Sequence, residues 1–460
     1  MRKIKTISAD CLTAISIYLR LKGTKKSLLE SIPRDKNQAR YSIIGVDPVH
    51  EISSFGHELS IDQRVEKVAD PLKAIESFLS RQSEPSESDL PFEAGAIGYV
   101  GYDVCALYEN IGPIPHDELG IADCHFYVYE SFVIVDHLKE QVTFVQDNLY
   151  SQRSEAELDR SLKEMVAQIK VPHVAEQREL TLEALSFTSN LSQRGYEKLV
   201  LKGKELIQAG DLFQVVPSQR LSAPFTADSF DYYRGLRLSN PSAYLYYLDF
   251  GETKIIGSSP ESLVSIQGEK VLTNPIAGTR RRGQTIQEDQ ALAEELAQDE
   301  KELAEHKMLV DLSRNDISRI AEVGSVTVPV YLVVEKYRYV MHLVSVVEGR
   351  LRSDVSAMDA LKATLPAGTV SGAPKIRAMQ RIYEMEPVKR NVYGGAVGYL
   401  THSGKADFAI AIRTMVLHQG VAHVQAGAGV VHDSDPTKEY EETLHKAKAL
   451  LEVYNYDFTR

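Results

Sequence analysis

Up to residue 150 the chain reads as short runs of alternating apolar and polar positions. "ARYSIIGVDP" and "HELSIDQRV" predict strands closed by turn residues, and "FEAGAIGYVGYD" a glycine-rich strand. "HFYVYESFVIVDH" with "QVTFVQD" predicts a hairpin. Residues 80–90, "SRQSEPSESDL", are polar throughout and read as a loop. A charged helical segment over 151–170 then runs into the polar stretch "VPHVAEQRELTLEALSFTSNLS". This change of texture divides the chain into an N-terminal domain over 1–165, a linker over 166–190 and a second domain over 191–456, packed intimately against the first. The helical period takes over in the second part. "SQRGYEKLVLKGKELIQAG" predicts a helix with Ser192 as N-cap and Gly210 as terminator. Strong helices are expected near 286–320, 374–386 and 436–455, with short strands between them.

Composition narrows the class. The 460 residues are 43% hydrophobic and 25% charged, ordinary for a globular protein with a sizeable core. No apolar run approaches the ~20 residues of a membrane span. Near the N-terminus Asp10 interrupts what would have to be the apolar core of a secretory signal. Three cysteines imply no disulfide framework, and together these features predict a cytoplasmic protein. A net charge of −12 argues against non-specific nucleic-acid binding. An anionic ligand would therefore need a local positive field, which draws attention to the three arginines of "PIAGTRRRG".

Two helices carry paired glutamates. In "DEKELAEHKMLVDLSRNDISRI", Glu302 and Glu305 stand three apart on a face that continues through Leu309 and Leu312. Like charges in line with an apolar stripe are costly unless a cation or a proton relieves them. In "DSDPTKEYEETLHKAKALL", Asp435 is an N-cap, Pro436 takes the first helical position, and Glu439 and Glu442 repeat the spacing. Taken alone, the first pair reads as a solvated acidic face and the second as an acidic helix start. Meeting across two helices, the pairs would form an oxygen-rich site suited to Mg²⁺; spacing does not show that they meet.

Several loops have the chemistry to hold a carboxylate. "LPAGTVSGAPKIRAMQ" runs from a turn into a helix, where backbone N–H groups and Thr369 could cradle an anion. Its spacing is not that of a phosphate-binding P-loop. Arg413 falls in "AIAIRTMV", an alternating strand pattern in which an acidic partner is the plain expectation. Gly427, Ala428 and Gly429 let another group approach the backbone closely. His342 in "YRYVMHLVSVV" reads as a hydrogen-bonded core histidine, and Glu261 in "GSSPESLV" as the N-terminal acid of a short helix.

In order, "GDLFQVVPSQR", "GSSPESLV", "PIAGTRRRG", "ELAEHKMLVDLSRND", "YVMHLVS", "GTVSGAPKIRAMQ", "YGGAVGYL", "AIAIRTMV", "QAGAGVVHDSDP" and "EYEETLHKA" resemble the chorismate-utilising enzymes, and among them the large subunits of anthranilate synthase. The resemblance is dense over 190–452. It extends more thinly to "SLLES", "ARYSIIG" and "GAIGYVGYD". It implies an α+β fold of large antiparallel sheets packed together, with helices outside. It implies Mg²⁺ between the acidic helices, with Glu305 and Glu442 as metal ligands and Glu302 and Glu439 assisting. Thr369, Tyr393, Arg413, Gly427, Ala428 and Gly429 match positions that hold the substrate, with Gly278 and Thr279 as a further contact. Glu261 matches the general acid that protonates the departing C4 hydroxyl, and His342 a residue tied to the later elimination. The expected reaction joins ammonia to chorismate and releases pyruvate, leaving anthranilate for tryptophan synthesis.

Two positions separate the sibling reactions within that resemblance. Relatives that make aminodeoxychorismate carry a lysine where this chain has Ala277, and its amine can attack the ring. Relatives that form isochorismate or salicylate carry a water-activating lysine where this chain has Gln214. Both residues favour free ammonia as nucleophile. An aminodeoxychorismate synthase component, or an aminodeoxyisochorismate-forming enzyme, is the alternative within the family; a non-catalytic tryptophan-sensing subunit is the alternative outside it. Cys11, Cys105 and Cys124 lack the setting of a glutaminase nucleophile, so a separate glutamine amidotransferase partner is expected. The resemblance also makes the N-terminal part regulatory, with tryptophan as inhibitor. Glu30 and Ser31 match the effector motif, together with Ala243, Tyr244 and Leu245; many relatives have proline at 243.

Overall fold

A computed structural model describes residues 1–31, 40–80, 90–173, 180, 184–336 and 340–455. Residues 81–89 of the loop read over 80–90, and 174–179 and 181–183 of the 166–190 linker, lie outside the described residues. Among the described residues two large sheets with antiparallel pairing, of 11 and 12 strands, form the framework. Each draws strands from both ends of the sequence. In the first, Ser27–Glu30 pairs with Tyr244–Phe250, setting Glu30 opposite Leu245. In the second, Gly95–Val100 pairs with Ala396–Thr401. Segments before 165 and after 191 are thus joined by backbone hydrogen bonds in both sheets.

The two-residue period of the strands builds three apolar layers. In Tyr244–Phe250, Tyr246, Leu248 and Phe250 face a core between the sheets, where they meet Tyr99, Tyr127 and Tyr399 of the second sheet. Leu245 and Tyr247 face the other way, into a core covered by residues from the helices Ala14–Arg20, Ser229–Ser239 and Pro436–Leu451. The second sheet is covered likewise by Pro71–Ser80, Gln193–Gln208, Glu300–Ser318 and Lys375–Met385. This is the α+β arrangement expected, with helices outside. Among the described residues no helix is long and apolar enough to cross a membrane.

Capping signals fall where the sequence places them. Ser192 accepts from Gly195 N–H at the start of Gln193–Gln208, and Gly210 follows it at φ +76°. Asp435 accepts from Lys438 N–H, with Pro436 opening the next helix. Two expectations need correction. "HFYVYESFVIVDH" is not one arm of a hairpin: Cys124–Tyr129 lies in the second sheet and Ser131–Asp136 in the first, and only the latter pairs with Gln141–Asp147. The buried Glu130 marks the crossing between them, its carboxylate accepting from Tyr150 N–H. The helix expected over 286–320 is two, Ile286–Gln298 and Glu300–Ser318. Asp299 ends the first and caps the second, accepting from Lys301 and Glu302 N–H at 3.0 and 3.1 Å.

Candidate active site

The restart at Asp299 orients the first glutamate pair. Burial pushes the Glu305 carboxyl above its usual range, and Glu302 and Glu442 add to the shift. Burial also raises Glu439, with Glu442 again adding. The Glu442 charge thus adds to the shift on Glu305, an acid of the other helix. The four acids are unequal. Arg280 reaches Glu302 Oε1 at 3.4 Å while also holding Asp299 and Glu295. Glu305 makes no such ion pair among the described residues. Glu442, its side chain 48% exposed, holds Lys446 Nζ at 2.7 Å. Among the described residues no three acid, histidine or cysteine side chains converge closely enough to bind a metal as they stand.

Glu261 is not at a helix start. It lies in the turn between the strands Thr253–Ser259 and Ser262–Gln267, buried at 7% exposure. Burial pushes its carboxyl up to about 8, and Thr369, Lys446 and Arg413 only partly oppose this. Thr369, in the short helix Gly368–Ser371, donates from Oγ1 to Glu261 Oε1 at 3.2 Å. Arg413 is not within a strand either. It turns the chain between Ala406–Ile410 and Thr414–His418 at φ +48°. Its guanidinium is pulled below its usual pKa by burial, and among the described residues Glu261 is the acid that opposes this.

The glycine segment forms the adjoining wall. A Cβ on Gly427 would lie 2.9 Å from the Tyr393 hydroxyl, and one on Gly429 2.8 Å from Gln214 Nε2. Both positions therefore demand close approach. Gln214 pairs across a two-stranded ribbon with Ala373, and its Oε1 is buried without a hydrogen-bond partner among the described residues. Tyr393 is buried and its phenol pushed up to about 12, burial being the main cause.

His342 sits in Val340–Arg350 with ring Nδ1 2.9 Å from the Gly278 carbonyl oxygen. Gly278 has φ +63°, and an added Cβ would stand 3.1 Å from Glu302 Oε2. The turn before the arginine run thus touches the acidic helix, while Ala277 is buried and pairs with Leu343. The arginines are salt-bridged rather than free: Arg281 to Glu288 at 2.5 Å and Arg282 to Asp289 at 2.6 Å, besides the Arg280 contacts. The side chain of Thr279 lies outside the described residues.

The residues that match the effector motif also come together. Ser31 Oγ donates to the Ala243 carbonyl at 3.0 Å, and Glu30 Oε2 accepts from Tyr233 Oη at 2.6 Å and Arg237 Nε at 2.8 Å. Tyr244 donates to Asp407 at 3.2 Å. This cluster sits where Ser27–Glu30 joins Tyr244–Phe250.

Lys446 escaped the sequence reading. Its ammonium holds Glu442 and donates to the Gly427 carbonyl at 3.1 Å, and its charge acts on Glu261, Glu305 and Glu439. The four-residue spacing from Glu442 was a readable signal, but such pairs usually mark a solvated helix face.

The architecture and the site can now be set beside known proteins. A family model for chorismate binding enzyme matches residues 28–452. Anthranilate synthase component 1 of Lactococcus lactis subsp. lactis (strain IL1403) is 55% identical over 454 residues, covering 98% of this chain and 100% of that protein. The crystal structure of anthranilate synthase component I from Streptococcus pneumoniae TIGR4 superposes with a TM-score of 0.85 at 51% identity, covering 97% of this chain and 99% of that one. The menaquinone-specific isochorismate synthase of Escherichia coli shares the fold at 21% identity, with a TM-score of 0.76 over 99% of this chain and 95% of that one. This chain belongs to the chorismate-binding enzymes and, within them, to the anthranilate synthase component 1 family.

Proposed function

We propose that the chain converts chorismate and ammonia to anthranilate and pyruvate, with Glu261 as general acid. One observation carries the reading: a carboxyl pushed up to about 8 by burial stands against Thr369 and beside the Arg413 cation. Hydroxide leaves poorly, so the C4 hydroxyl needs a proton as it departs, and an acid still protonated near neutral pH supplies it. Arg413 offers a charge for a substrate carboxylate. Tyr393 and the Gly427–Gly429 wall shape the space beside it. Gln214 Oε1 offers a buried acceptor that would orient ammonia at C2 without deprotonating water. Ala277 has no amine to compete, which favours the anthranilate reaction over formation of aminodeoxychorismate. His342, fixed by the Gly278 carbonyl, is suited to the C2 proton in the elimination that releases pyruvate.

The donor set between the helices is all carboxylate, and Glu305 and Glu439 carry the electrostatic cost of close negative neighbours. That chemistry fits Mg²⁺, with Glu305 and Glu442 holding it and Glu302 and Glu439 assisting. Bound there, the ion would neutralise the substrate's ring carboxylate.

The ammonia source is a separate glutamine amidotransferase subunit in this reading. Cys105 and Cys124 are buried, with thiol pKa values raised chiefly by burial, which unsuits them as glutaminase nucleophiles. Tryptophan is the feedback inhibitor, held at the Glu30–Ser31 and Ala243–Leu245 cluster. Three free cysteines suit a cytoplasmic location.

Incubating the purified chain with chorismate, Mg²⁺ and ammonium salt tests the proposal. Fluorescent anthranilate is expected with ammonium and not with glutamine alone. A non-aromatic amino product, or tryptophan binding without turnover, would overturn it.

A further inference from the structure

Behind the candidate site lies an ion pair that the chemistry above does not use. Arg390 is 2% exposed and Glu386 6%. Arg390 Nε and Nη2 donate to the two Glu386 oxygens at 2.8 and 2.6 Å. The same guanidinium reaches away from its partner: Nη1 donates to the Val370 carbonyl at 2.6 Å and Nη2 to the Val216 carbonyl at 2.7 Å. Glu386 Oε1 in turn accepts from Ser218 N–H at 2.7 Å and Ser218 Oγ at 2.8 Å. The guanidinium also lies over the rings of Tyr102 and Tyr393, 4.6 and 5.4 Å from their centroids.

Apart from that with Tyr102, these contacts fall on three segments, each bearing a site residue. Val216 follows Gln214, Val370 follows Thr369, and Tyr393 is itself a wall of the site. A buried ion pair is weak grounds for stability, because desolvation cancels much of the attraction. What this pair supplies is geometry: a rigid planar fork spans two backbone carbonyls and a carboxylate at once, which a lysine cannot do. We propose that Glu386 and Arg390 are a positioning pair for the reaction, fixing the separation of Gln214, Thr369 and Tyr393 around the substrate. The inference rests on the chorismate reaction proposed above.

Arg390→Lys tests it, since lysine keeps the charge and the bond to Glu386 but cannot bridge both carbonyls. Leu59→Ala, a buried change on the outer hairpin of the second sheet, serves as a destabilised control. Both are assayed for chorismate consumption at a temperature where circular dichroism shows them fully folded. We expect Arg390→Lys to lose thirtyfold or more in kcat with a smaller change in KM, and Leu59→Ala to keep kcat within twofold. A folded Arg390→Lys with both parameters within threefold of wild type overturns the inference. If that variant does not fold, Ser218→Ala replaces it, removing one contact to Glu386 while sparing the pair. A threefold to tenfold fall in kcat then supports positioning, and an unchanged kcat refutes it. Because consumption is followed whatever the product, a wild type yielding something other than anthranilate overturns the reaction, while the ratio of variant to wild type still judges the pair. A wild type that consumes no chorismate overturns both.

Discussion

Thr369 Oγ1 donates to Glu261 Oε1 across 3.2 Å, although 108 residues separate them in the chain. With one carboxyl oxygen accepting this bond, the acidic proton is directed to Oε2. In the proposed reaction this contact selects the oxygen that protonates the leaving group. Glu261→Gln keeps the shape and removes the proton. We expect kcat to fall by about 10²–10⁴ with KM for chorismate little changed, as steady-state kinetics with ammonium will show.

The same carboxyl predicts two pH dependences. Its pKa stands at about 8 in the folded chain against an ordinary 4.5. The acid form prevails below pH 8, so kcat should decline as pH rises through that value. The sign for stability follows from proton counts. Between these two values the folded chain holds a proton that the unfolded chain has released. The group's contribution is whole below pH 4.5 and is lost as pH climbs through about 8. Thermal melts should show wild type losing stability across that window relative to Glu261→Gln.

The inequality of the four acids predicts an order of metal dependence. Glu302 is already held by Arg280, whereas Glu305 has no such ion pair among the described residues. Glu305→Gln should weaken Mg²⁺ binding about tenfold or more, and Glu302→Gln much less. Titration calorimetry on the two variants checks this. Equal losses for both would contradict the assignment.

Arg237 reaches Glu30 from the helix Ser229–Ser239, and among the described residues its charge acts with Glu30 and Tyr233 rather than with the candidate active site. Arg237→Ala should raise the tryptophan concentration needed for half-inhibition about tenfold or more while leaving kcat near wild type. Inhibition curves read the first effect and uninhibited rates the second.

Gly372 has φ +135°, and a Cβ there would stand 2.2 Å from the Gln214 carbonyl oxygen. Gly372→Ala should cost about 2–4 kcal/mol and displace Gln214. The measurement is a fall of several degrees in melting temperature together with lost ammonium-dependent turnover.

Local chemistry was legible in the sequence wherever a short pattern suffices. Ser192, Asp435 and Pro436 announce their helix starts, and the spacing of the glutamate pairs places each pair on one helix face. The motifs carrying the family resemblance pick out Glu261, Thr369 and Arg413 before any fold is known. Their backbone settings were not readable, because Glu261 and Arg413 sit in turns whose shape depends on neighbouring strands. Strand order was equally hidden, since the pairing of Glu30 with Leu245 is set by tertiary contacts rather than local propensity. Asp299 reads as one more acid in a charged helix until its capping bonds are seen. Glu386 and Arg390, four apart in "EMEPVKR", carry no sign of burial in the sequence, and it is burial that turns them into a crosslink.

The central claim is that ammonia, and not water, attacks chorismate in a site where Glu261 protonates the leaving hydroxyl. Mass spectrometry of the product formed in ¹⁵N-ammonium and ¹⁸O-water tests it most directly. The account predicts anthranilate carrying one ¹⁵N and no ¹⁸O, accompanied by pyruvate. A hydroxylated product carrying ¹⁸O, or an aminated ring that keeps its enolpyruvyl group, would contradict it.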